Sequence, residues 1–142
     1  MGLSIALLTV SDTRTLAEDR SGAALQQRLE AAGHQLHERR LVPDNRYQIR
    51  SELSRWIADE AVQVVITSGG TGLTGRDGTP EAVEPLLDKT IEGFGELFRV
   101  LSPSRPSAPA ASRAVAWPAW LTGRSSLCCR GPSTRWKPPG IV

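Results

Sequence analysis

Val62-Gln-Val-Val-Ile-Thr67 runs without a break into Ser68-Gly-Gly-Thr-Gly-Leu-Thr-Gly-Arg-Asp-Gly-Thr79-Pro80. Every residue of the first block except Gln63 is β-branched, the composition of a strand buried within a sheet. Five glycines then fall within eleven positions (69, 70, 72, 75 and 78), and Thr79-Pro80 reads as the N-cap and first position of a helix. A strand that passes through a glycine loop into a helix is part of a crossover unit, the element from which helix-covered parallel sheets are built.

The residues before it repeat the pattern. Ser4 to Val10 is a short apolar run ended by Ser11-Asp12, as expected of a strand covered on both faces. From Ser21 to Ala32 good helix formers place Leu25, Leu29 and Ala32 on one face, and Gly33 follows as a natural stop. Gln35 to Leu41 reads as a second strand whose charges suit an edge. Pro43-Asp44 then opens a helix with Ile49, Leu53, Trp56 and Ile57 on one stripe, Asp44 serving as its N-cap. A further apolar helix is predicted over Ile91 to Val100. The order is that of an α/β layer fold with a mainly parallel sheet.

Composition bounds the remaining possibilities. At 142 residues, 39% apolar and 23% charged, the chain suits one globular domain and not a disordered, collagen-like or disulfide-built one. The apolar run Ile5 to Leu8 is far shorter than the roughly 20 residues of a membrane helix, so a soluble, cytoplasmic protein without a membrane partner is expected. Charge is divided unevenly: residues 1 to 100 hold all 15 acids and 11 of the 17 bases, while residues 101 to 142 hold six bases and no acid. The same tail carries seven of ten prolines, three of four tryptophans and both cysteines, the neighbours Cys128 and Cys129, which lack metal or redox spacing. We therefore divide the chain into an α/β domain over 1 to 101 and an irregular tail over 102 to 142.

Ligands of open α/β sheets bind beyond the carboxyl ends of the strands, which directs attention to Ser11-Asp12 and the loop from Ser68 to Thr79. Backbone N–H groups of so many glycines can approach an anion closely, so the loop suits a phosphate, the alternative being a tight structural turn. No lysine completes a P-loop. Asp44 and Asp77 could face one crevice and hold Mg²⁺ with substrate phosphates. Spacing alone favours the plainer reading, Asp44 as a helix cap and Asp77 as a turn residue. His34 and His37 read as structural.

Several strings together resemble one family. Val10-Ser-Asp-Thr-Arg-Thr15, Glu18-Asp-Arg-Ser-Gly22, Val42-Pro-Asp44, Thr67-Ser-Gly-Gly-Thr-Gly-Leu-Thr-Gly-Arg-Asp77 with Thr79-Pro-Glu-Ala82, and Glu92-Gly-Phe-Gly-Glu-Leu-Phe-Arg99 are similar to the MoaB/Mog molybdopterin-binding proteins of molybdenum cofactor biosynthesis. The spelling of the first two strings is nearer the MoaB branch. The resemblance implies a three-layer α/β/α subunit, assembled as a homotrimer or homohexamer, that binds molybdopterin and, in active members, adenylylates its terminal phosphate with ATP and Mg²⁺. The alternatives are a member that holds the pterin without turnover, or an inactive truncated product. Carried over, Asp44 and Asp77 organise Mg²⁺ and the attacking phosphate. Gly69 to Gly75, including Gly70, Thr71, Gly72 and Gly75, cradle phosphate beside Ser68, while Ser11 and Asp12 border the pterin pocket. No nucleic-acid partner is expected.

Two departures stand out. Gly78 occupies a position that is usually valine in the family, which adds something near 1 kcal/mol of unfolded-state entropy. More seriously, the family continues with a further strand and a Leu-Pro-Gly-Ser loop that residues 101 to 142 do not spell. Re-cutting the tail's codons by one base forces Ala at Pro118, Leu at Cys129 and Glu at Lys137, and permits Leu-Leu-Pro-Gly-Ser from position 128. We read this as a one-base frame slip near Ser102, which leaves the C-terminal elements of the fold missing.

Overall fold

The computed structural model describes residues 2–70, 78–90, 92–93, 117–121 and 124–128. Strands β1 (Ser4–Val10), β2 (Gln35–Val42), β3 (Val64–Gly69), β4 (Lys89–Thr90), β5 (Trp117–Leu121) and β6 (Arg124–Cys128) form one six-stranded sheet in the order β2-β1-β3-β6-β5-β4. Only β5 runs against the rest. The mainly parallel sheet matches the expectation, and the charged Gln35–Val42 strand lies at its edge.

Helices cover both faces, giving the three layers. β1 lies between β2 and β3, so its alternate side chains are all claimed by a core. Ala6, Leu8 and Val10 pack with Val65 beneath helix α2 (Arg46–Ala58) and the short helix α3 (Thr79–Val83), through Ile49, Leu53, Trp56, Ala82 and Val83. Ile5 and Leu7 face the other way against Leu29 and Leu25 of helix α1 (Arg20–Ala31). At ~25 cal/mol per Å² of apolar surface removed from water, this two-sided burial is what holds the layers together. Gly33, at φ 80°, ends α1 in the left-handed conformation that was expected of it.

Three local expectations are corrected. Asp44 is not the cap of α2: Asn45 is, its Oδ1 accepting from the N–H groups of Tyr47 (3.0 Å) and Gln48 (3.2 Å). The two candidates are adjacent and chemically alike, and the chain's approach from β2 aims the second at the helix. Thr79 is likewise the first residue of α3 and not its cap, which is Gly78 without a side-chain bond, and this puts Pro80 one position further in.

The third correction concerns the tail, of which 117–121 and 124–128 are strands and not irregular chain. β6 pairs with β3 from Val64↔Ser125 to Thr67↔Cys128, and β5 pairs with β6 through Trp117↔Cys128 to Leu121↔Arg124. Thus the sheet is continued past β3, where missing elements were expected. An open β3 edge offers a row of unpaired N–H and C=O groups, and any segment with tolerable strand composition can answer them; proline density is a weaker constraint than that template. The helix expected over Ile91 to Val100 lies outside the described residues. Among those described, no helix is long and apolar enough to cross a membrane.

Candidate functional site

At the carboxyl ends of β1, β2 and β3 three loops are tied to one another by hydrogen bonds. Asp12, two residues beyond β1, accepts the N–H of Asp44 through Oδ1 at 2.8 Å. Asp44, two residues beyond β2, accepts the N–H of Gly78 through its own Oδ1 at 3.0 Å. Thr79 then donates its N–H to the carbonyl of Gly70 at 3.0 Å, which closes the glycine loop onto the end of β3. Each carboxylate therefore fixes the backbone of the next segment, a charge-assisted bond of about 1.5–3 kcal/mol apiece.

The glycines at the end of β3 are required by space as well as conformation. Gly69 has φ 102°, and a Cβ there would stand 2.1 Å from the carbonyl oxygen of Val10. Gly70 has φ 59°, and its Cβ would fall 2.1 Å from Thr79 Oγ1, 2.9 Å from Asp44 Oδ2 and 2.9 Å from Val10 Cγ1. One point beside Gly70 is thus crowded by the ends of β1 and the starts of α2 and α3. Gly78 is different: a Cβ would lie 3.6 Å from Asp44 Oδ1, an ordinary contact, so this position has room for a β-carbon.

Thr79 Oγ1 is buried, with no hydrogen-bond partner among the described residues, and so is Thr67 Oγ1. An unpaired buried hydroxyl costs about 1–3 kcal/mol.

A buried carboxylate supports the loop that carries Ser11 and Asp12. Asp19, 1% exposed, caps α1 by accepting the N–H of Gly22 at 2.9 Å and takes the Thr9 hydroxyl at 2.7 Å. The loop is further braced where Thr15 donates its N–H and hydroxyl to Glu18, which holds that carboxyl below its ordinary range, and where Arg39 reaches the Leu16 carbonyl at 3.0 Å. Ser11 donates its N–H to Val42, which keeps the β1 and β2 exits together. On the other side of the site, Arg50 of α2 donates to the carbonyls of Glu81 (2.8 Å) and Ala82 (3.2 Å), satisfying the end of α3.

Of the residues singled out in the sequence, the structure brings Ser11, Asp12, Asp44, Gly69 and Gly70 to one edge, with Ser68 on β3 opposite Thr9 of β1. Thr71, Gly72, Gly75 and Asp77 lie outside the described residues. Asp19, Thr9 and the Thr79 hydroxyl were missed. Asp19 stands three residues before Gly22, a spacing that signals a cap, but the helix start had been placed at Ser21. His34 and His37 are structural as expected: His34 Nδ1 accepts the Leu3 N–H, and His37, the extra residue of a bulge in β2, lies 3.3 Å from Asp59.

The sequence model described as "Probable molybdopterin binding domain" matches residues 6–124, most of the chain. The chain belongs to the MoaB/Mog family of molybdenum cofactor biosynthesis proteins. It is 51% identical over 98 residues to molybdenum cofactor biosynthesis protein B of Escherichia coli K12, covering 69% of this chain and 58% of that protein. The Bacillus cereus protein of the same name is 48% identical over 96 residues, 68% of this chain and 57% of that one. The matched region thus spans less than two thirds of these relatives. A crystal structure of a molybdenum cofactor biosynthesis protein B superposes with a TM-score of 0.85 at 38% identity, over 94% of this chain and 83% of that one. The superposition reaches further along the chain than the sequence match, consistent with the tail strands entering the sheet. The three linked loops lie at the strand ends of a MoaB/Mog fold, where oxygen donors meet a close-approach glycine backbone.

Proposed function

We propose that this edge binds molybdopterin through its terminal phosphate and transfers adenylate to it from ATP. The observation that carries the reading is the chain of bonds from Asp12 through Asp44 to Gly78 and from Thr79 to Gly70, which closes a glycine loop beside two carboxylates at the strand ends. In the reaction an oxygen of the pterin phosphate attacks the α-phosphorus of ATP, the bond from that phosphorus to the β-bridging oxygen breaks, and pyrophosphate departs. Little covalent work falls to side chains, so positioning and charge neutralisation carry the rate.

The residues divide that work by position. Backbone N–H groups of Gly69 to Gly75 approach the phosphates, with Ser68 and Thr71 at the loop's entry. Ser11 and Asp12 border the pterin. The oxygen donors suit a hard cation, and among the described residues no three His, Cys, Asp or Glu side chains gather to hold a metal by themselves. Such a set fits Mg²⁺ brought with ATP and held by Asp44 and Asp77, where it supplies charge neutralisation at the phosphates. Purified full-length chain incubated with molybdopterin and MgATP should release pyrophosphate. Tight pterin binding without release makes it a carrier of the pterin; neither binding nor release refutes the proposal.

A further inference from the structure

Most arginines of the described fold are partnered. Arg40 and Arg55 are bridged to Glu38 and Glu52, Arg39 reaches the Leu16 carbonyl, Arg50 holds the end of α3, and Arg28 also makes an interaction. Arg14, Arg20 and Arg46 differ: all three are exposed, and among the described residues none pairs with them. Their places coincide. Arg14 lies on the loop that leaves β1, Arg20 is the first residue of α1 and Arg46 the first of α2, so all three stand at the carboxyl edge of the sheet, where Asp12 and Asp44 tie the loops together. The helices themselves give no reason for Arg20 and Arg46, since a cation in the first turn opposes the helix dipole.

We infer that Arg14, Arg20 and Arg46 are an anion-capture rim, which draws phosphate-bearing ligands onto an edge that its own carboxylates would otherwise make repulsive. Asp12, Glu18, Asp19 and Asp44 give this edge a formal charge of −4, and each bonds backbone N–H groups or threonine hydroxyls. The three arginines bring the sum to −1 (3 − 4). Without them an approaching phosphate meets four charges of its own sign. Because α1 and α2 cover opposite faces of the sheet, the rim brackets the edge from both sides, a placement that suits a field acting at a distance and not a clamp on one phosphate. Exposed charges of this kind act chiefly on the association rate, and salt screens them. The inference rests on the proposed reading of the edge as a phosphate site, and its test separates the two.

The test compares full-length wild type with Arg14→Gln, Arg20→Gln and Arg46→Gln, singly and together, and with Arg28→Gln, whose charge lies in the last turn of α1 at the far end of that helix. Stopped-flow association with molybdopterin in Mg²⁺, and separately with MgATP, is followed from low salt to ~1 M, where the screening length falls to about 3 Å. The triple variant should associate about 10-fold or more slowly at low salt and approach the wild-type rate at high salt, with dissociation within about twofold of wild type. Each single rim variant should slow association more than Arg28→Gln does. The triple variant should melt at or above the wild-type temperature, because no standing partner is lost. Slowing confined to one ligand supports the rim and assigns it to that ligand's phosphates. If wild type binds neither ligand, the proposed function fails and this inference with it. If wild type binds and the triple variant associates as fast at low salt, or weakens only through faster dissociation, the inference alone is overturned. Arg28→Gln slowing association as much as a rim single also overturns it, as does a triple variant that melts several degrees lower.

Discussion

Gly22 and Asp19 offer a test of how the site's first loop is held. A glycine inside a helix normally costs about 1 kcal/mol against alanine, so Gly22→Ala should stabilise α1 on propensity alone. Here the added Cβ would lie 2.0 Å from Asp19 Oδ2, and that carboxylate is buried with bonds to Thr9 and to the Gly22 N–H. Displacing it forfeits a cap of about 1 kcal/mol and leaves the Thr9 hydroxyl unpaired at about 1–3 kcal/mol. Asp19→Ala should therefore cost about 2–4 kcal/mol. Gly22→Ala, with the propensity gain offsetting part of the same loss, should cost about 1–3 kcal/mol. In the double variant the obstructing oxygen is gone, so the second change should add no further loss and the sum of the singles should overshoot by about 1–3 kcal/mol. Urea unfolding followed by far-ultraviolet circular dichroism reads all four proteins, and thermal midpoints should move by roughly 4 °C per kcal/mol for a chain of this size. Additive single and double variants would refute the steric account of Gly22.

Other perturbations follow from the same contacts. Glu38 is held below its ordinary 4.5 by hydrogen bonds from Arg55 first and then from Trp56, whose indole is buried. Its folded-state value lies below the unfolded one, so its contribution is complete above about pH 4.5 and is lost as pH falls through the folded value; an acid titration of stability should be shallower in Glu38→Gln. Gly70→Ala puts a side chain on a backbone at φ 59° and against Thr79, and should cost about 2 kcal/mol or more while abolishing molybdopterin binding by equilibrium titration. Arg50→Ala removes both donors to the end of α3, so hydrogen exchange at Thr79 to Val83 should rise about tenfold or more, an opening cheaper by about 1.4 kcal/mol. Sequencing the coding DNA across codon 102 should show the family's C-terminal residues one base out of register; an intact frame with no such offset similarity ends the frame-slip reading.

The amino-acid sequence by itself determined the layer order, because β1, α1, α2 and β3 each announce their own burial. SIALLTV can be satisfied only inside a sheet covered twice, and Leu25, Leu29, Ile49, Leu53 and Trp56 recur at helical spacing. It also located the strand-end loops, since Ser11-Asp12, Asp44 and Gly69-Gly70 stand where strands stop. Tertiary structure decided which neighbouring polar group does what. Asn45, not Asp44, caps α2, which releases Asp44 to hold Gly78, and Asp19 is a buried bracket for the first loop. The fate of the tail was equally a matter of context, because β5 and β6 answer an open sheet edge that the proline-rich composition of the tail as a whole does not suggest. Periodicity reports what a segment wants to bury, whereas the bonds of Asp44 with Asp12 and Gly78 join residues 32 and 34 positions apart, a distance over which a one-dimensional pattern carries no geometry.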